Sequence, residues 1–88
     1  MKPTIHLNGT SREELLAQVV EAGDAVWAAI MKLGQACPNG RDYYTQGPGA
    51  IRQAISEHES RVDRLRSVER ELQELAEYIA DQEAAGRR

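Results

Sequence analysis

Apolar residues recur at helical spacing along two stretches of the chain, and the segment between them breaks the rhythm. In the first stretch Leu16, Val19, Gly23, Val26, Ile30 and Leu33 follow one another three or four positions apart, which sets them on one face of a helix. Val20, Trp27 and Met31 widen that stripe beyond what one partner helix covers. Ser11 followed by Glu14 is a capping box, and Glu13 and Glu14 suit the positive end of the helix dipole. Gly34 and Pro38 end the pattern. Gly23 within the stripe disfavours helix by about 1 kcal/mol relative to Ala, which predicts close approach of another backbone there.

In the second stretch the stripe is Ile51, Ile55, His58, Val62, Leu65, Val68, Leu72, Leu75 and Ile79, with one irregular step at Leu65 and Val68. Pro48 is placed to be its first helical residue. The reading is one all-α domain: an extended arm over 1–10, a first helix over 11–36, a loop over 37–48, a second helix over 49–84 and a tail over 85–88. The second helix is then about 50 Å long against about 36 Å for the first. Its end, from Leu72 to Ile79, is expected to overhang and to need a partner. Ile5 and Leu7 alternate around His6 in the arm, which is read as lying across the apolar face, with pairing to a second copy as the alternative. Asn8-Gly9 is read as a turn. Long αα-hairpins assemble into bundles, so a homo-oligomer is expected.

Composition narrows the chemistry. Phe is absent and Cys37 is the single cysteine among 88 residues, so the core is aliphatic and no internal disulfide forms. The net charge of −3 is mild, and neither half forms a basic patch for duplex nucleic acid. The N-terminus lacks the apolar run of a signal peptide, and no stretch approaches the roughly 20 apolar residues of a membrane span. A cytosolic protein is expected. His6, His58 and Cys37 lack metal-ligand spacing, so no metal and no cofactor are expected. Cys37 sits at a helix C-terminus, where the dipole disfavours a thiolate; it reads as a small packing residue. The acids of the second helix alternate with arginines, as in Glu57/Arg61 and Arg70/Glu74, which suits solvated i,i+4 pairs. Catalysis is not expected.

Binding has the stronger inventory. Residues 36–49 read ACPNGRDYYTQGPG. The loop gathers Arg41, Asp42, Tyr43, Tyr44 and Gln46 among glycines that let backbone N–H groups approach an anion. The second helix starts directly after it, with Arg52 on its first turn, and helix N-termini attract phosphate. Arginine forks onto phosphate, tyrosine stacks a base, and Asp42 can accept from a ribose hydroxyl. His58 lies about two turns along the same helix on its apolar side, and Arg61 one turn further. The competing reading is structural: Tyr43 and Tyr44 cover the open end of the bundle, and Arg41 pairs with Asp42 or a helix carboxylate.

Ile5-His6-Leu7-Asn8-Gly9-Thr10-Ser11, Leu15-Leu16, Pro38-Asn39-Gly40-Arg41-Asp42-Tyr43-Tyr44, and Glu57-His58 with Arg61 together resemble a group of small proteins encoded by tailed bacteriophages. That resemblance implies expression in the cytoplasm of an infected bacterium. By analogy of size, context and pocket chemistry, it implies an anti-defence protein that sequesters a nucleotide immune signal, a cyclic ADP-ribose isomer or a cyclic oligonucleotide, without cleaving it. The alternatives are a protein–protein inhibitor or adaptor acting on a host protein, and a phage structural or assembly accessory.

Overall fold

The structure is a computed structural model that describes residues 1–82. Helix α1 spans Arg12–Gln35 and helix α2 spans Ala50–Asp81, with short 3-10 turns at Gly40–Asp42 and Tyr44–Gln46 between them. No strand forms among the described residues. The Ser11 side chain caps α1 by accepting from the Glu14 N–H at 3.1 Å. Gly49 precedes α2 without any side-chain cap, so Pro48 lies outside the helix rather than opening it. At its far end α2 stops at Asp81, with Gln82 extended. The expected continuation to 84 and the tail over 85–88 lie outside the described residues.

The two helices pack antiparallel. Arg12, the first residue of α1, donates from one guanidinium nitrogen to the carbonyls of Ala80 at 3.1 Å and Gln82 at 3.0 Å. This guanidinium offsets the negative end of α2, where carbonyls lack helical partners. It also makes the helices flush at the end that carries both termini. With 24 residues in α1 and 32 in α2, the surplus of about 12 Å projects at the loop end. The expected overhang from Leu72 to Ile79 is therefore corrected: Ile79 is fully buried, and the extra length is the start of α2.

The arm completes that closed end. Gln82 accepts from the Ile5 N–H at 3.3 Å and donates to the Pro3 carbonyl at 3.3 Å. Ile5 is buried, and the Lys2 ammonium lies 5.1 Å from the centre of the Tyr78 ring. Asn8-Gly9 turns, with the Gly9 N–H bonded to the His6 carbonyl at 3.1 Å.

The seam follows the expected α1 face, but α2 turns differently from its most apolar line. Ile51, His58, Leu65, Leu72 and Ile79 recur every seven residues and are buried or half-buried. Ala54 is buried where Ile55 was expected, and Glu69 is half-buried where Val68 was expected; Ile55 and Val68 are exposed. The irregular step at Val68 is thus not followed, because one helix line cannot hold two steps of three without leaving the seam. Gly23 is corrected too. A Cβ added there would meet the Leu72 Cβ at 3.8 Å and no backbone atom within 4 Å. Side-chain packing, not backbone contact, occupies that crossing.

The acids and arginines of α2 are arranged less neatly than expected. Among the described residues Arg12–Glu13, at 3.7 Å, is the one ion pair. Neither Glu57/Arg61 nor Arg70/Glu74 closes; Glu57 instead accepts from the Gln53 side chain at 3.1 Å.

Candidate functional site

The connection after α1 is built from local polar contacts. Asn39 starts the first 3-10 turn, its Oδ1 accepting from the Arg41 N–H at 2.9 Å and the Arg41 Nε at 3.2 Å. The Tyr43 N–H then bonds to Gly40 at 3.1 Å, and the Gln46 N–H to Tyr43 at 3.0 Å. Gly47 takes φ +106°, a left-handed value that a side chain rarely tolerates. That kink swings the chain into α2. The Ala50 and Gln53 N–H groups bond to the carbonyls of Gly47 and Gly49. The intervening N–H groups of Ile51 and Arg52 receive no side-chain cap.

The predicted residues divide into three sets. Arg41, Asp42, Tyr44 and Gln46 are exposed on the loop, Tyr44 at 79 %. Arg52 and Arg61 are exposed on α2. Tyr43 is half-buried, and His58 is buried in the seam at 8 % exposure. No buried side-chain nitrogen or oxygen among the described residues lacks a hydrogen-bond partner. The Tyr44–Gln46 turn lies against α2, Arg41 bonds back to Asn39, and His58 belongs to the helix seam. Nor does the structural alternative hold in full: Tyr44 covers nothing, and Arg41 turns to Asn39, not to Asp42 or a helix carboxylate. Cys37 is exposed, which corrects its reading as a packing residue. No group of three His, Cys, Asp or Glu side chains among the described residues is placed to hold a metal ion.

None of the four principal grooves among the described residues is lined by these loop side chains. One is a groove of about 480 Å³ between α1 and α2, lined by Gly23, Leu72, Val20 and Trp27. A second, of about 320 Å³, continues past Trp27 to Met31, Arg66 and Arg70. The signal for this surface was present in the sequence, as the apolar positions that widen the α1 stripe. No described helix is long and apolar enough to cross a membrane. No protein-family model, curated protein or solved structure matches the chain.

Proposed function

We propose that this chain is a non-catalytic binding protein that assembles with its own copies and sequesters a small nucleotide signal, in the manner of a phage anti-defence protein acting in the host cytoplasm. The observation that carries the ligand reading is the start of α2. Its N–H groups have no side-chain cap, its first turn bears exposed Arg52, and exposed Arg41 and Tyr44 precede it on the loop. An uncapped helix N-terminus and two guanidinium groups favour phosphate. An exposed phenol ring offers a stacking surface to a base. Calorimetry with cyclic dinucleotides and cyclic ADP-ribose isomers tests the reading. Saturable binding, with intact ligand recovered after denaturation, supports it; no binding across the panel refutes it.

A second reading, an inhibitor or adaptor that docks on a host protein, is favoured by one observation: Val20, Trp27 and Met31 stand about half exposed on one face. Pull-down from infected cells with the wild-type chain and a Trp27→Ala variant separates the two readings. A host protein retained by the first and lost by the second supports the adaptor.

A further inference from the structure

Charge along the hairpin is polarised. The end carrying the termini, residues 1–24 and 71–82, holds eight carboxylates and two cations. The loop-side part, residues 25–70, holds seven cations and five carboxylates. The groove beside Trp27 repeats this polarity at short range. Asp24 lies at the end nearer the termini and Arg66 at the loop-side end, with Arg70 between them near the level of Trp27. Among the described residues none of these three closes an ion pair. Trp27, 55 % exposed, stands where the two ends meet, with Met31 at 54 % beyond it.

The chain also exposes more surface than a finished fold of its size. Its 6831 Å² exceeds by roughly 1,600 Å² the area of a compact protein of this mass. Its radius of gyration is 19.5 Å, against about 12 Å for a compact chain of this length. A stable interface removes about 800 Å² from each partner, well within that excess.

We infer that the groove at Trp27 is the docking surface for a second copy of this chain, placed antiparallel about a twofold axis that crosses the helices near Trp27. The axis sets the Asp24 end of one groove against the Arg66 end of the other. The same relation lays each acidic end along the partner's cationic part. A parallel arrangement would instead stack acidic end on acidic end. The two Trp27 rings fall near the axis, where an aromatic side chain in a pocket contributes most, and the paired hairpins form a four-helix bundle. Each Glu69 also borders the groove, flanked in sequence by Arg66 and Arg70, which offset the like charge across the axis. The inference rests on the reading of the chain as an assembling hairpin and not on its ligand.

The test is sedimentation equilibrium of the full chain without nucleotide, with helix content checked by circular dichroism. The wild type is expected to associate reversibly, and to do so less tightly as salt rises. Asp24→Arg, and separately Arg66→Asp, should each weaken self-association by about tenfold or more, because like charges then face each other twice. An equimolar mixture of those two variants should recover association, since every facing pair is again of opposite sign. Trp27→Ala should weaken association as strongly, without altered helix content. A monomeric wild type overturns the inference. So does an oligomer indifferent to the charge reversals, or a mixture that fails to recover. Nucleotide binding measured on the same proteins decides the ligand reading by itself.

Discussion

Replacing Gly23 with Ala should stabilise the hairpin, and the structure says by how much. Gly23 lies in the middle of α1 and half-buried in the seam. Helix propensity alone favours Ala there by about 1 kcal/mol. The added methyl meets the Leu72 Cβ at 3.8 Å, an ordinary contact that requires no shift. Burying it contributes at most about 0.8 kcal/mol more, so the total lies between about 1 and 2 kcal/mol. For a chain of this size each kcal/mol raises Tm by about 4–8 °C. Thermal unfolding followed by circular dichroism, at one fixed protein concentration because self-association also raises Tm, reads the effect. Gly34→Ala is the control: that position is exposed near the end of α1 with nothing within 4 Å of the added Cβ. It reports propensity without packing and should raise Tm less. A Gly23→Ala protein with unchanged or lowered Tm refutes the argument, and would mean that the helices cross more closely than 3.8 Å allows. Gly23 also lines the Trp27 groove. Sedimentation of the same variant therefore separates a methyl that helps the hairpin from one that obstructs a second copy.

Arg12→Ala should lower stability by about 1.5–3 kcal/mol, the worth of hydrogen bonds to a charged group, since its guanidinium serves the Ala80 and Gln82 carbonyls; Arg12→Lys should recover part, and urea unfolding measures both. Ile79→Ala should cost about 2–5 kcal/mol, because Ile79 has no exposed surface; a smaller loss in urea unfolding would show that the arm collapses onto the gap. Gln82→Ala should release the arm at Pro3 and Ile5, seen as faster amide exchange at Ile5 with a loss of about 1 kcal/mol. If the loop holds a nucleotide, Arg41→Ala should weaken binding by about 1.5–3 kcal/mol and Tyr44→Ala by about 1–3 kcal/mol, by calorimetry. Neither should move Tm appreciably, because both side chains are exposed.

The helices themselves were legible because their signals are local. Ser11 and Glu14 announce the start of α1, Gly34 and Pro38 its end, and the steps from Leu16 to Leu33 mark the face that packs. What failed were choices between neighbours on one helix. Ile55 is more apolar than Ala54, yet Ala54 is buried. The seam is set by the line through Ile51, His58 and Leu65, and hydrophobicity does not outvote geometry. Val68 and Glu69 repeat the lesson one turn beyond Leu65. The end at which α2 protrudes was illegible for a different reason. It depends on Arg12 meeting carbonyls 68 and 70 positions away, and no local pattern records such a pairing. In the candidate site the residue types were readable, but their placement was not. Arg41, Tyr44 and Arg52 share the loop end because Gly47 turns the chain there, whereas His58 is drawn into the seam by its heptad position.

The two proposals place their demands on opposite parts of one rod. The ligand reading uses the part of α2 that outruns α1, with the loop folded beside it. The docking surface lies around Trp27, near the middle of the hairpin. An antiparallel pair centred at Trp27 inverts one rod against the other, so the longer loop end of each copy extends past the terminal end of its partner. About 18 residues of α2 separate its first turn from the level of Trp27, or roughly 27 Å at 1.5 Å per residue. The terminal end lies nearer that axis, at roughly 20 Å by the same measure. The first turn of α2 therefore reaches about 7 Å past the end of the partner's helices, and the ligand reading needs no contact with the second copy. This geometry requires one ligand per chain in calorimetry, with stoichiometry unchanged by Trp27→Ala. A stoichiometry of one ligand per two chains would place the site at the junction between copies instead. In that case Trp27→Ala would abolish binding together with association, and the loop could not be the site acting alone.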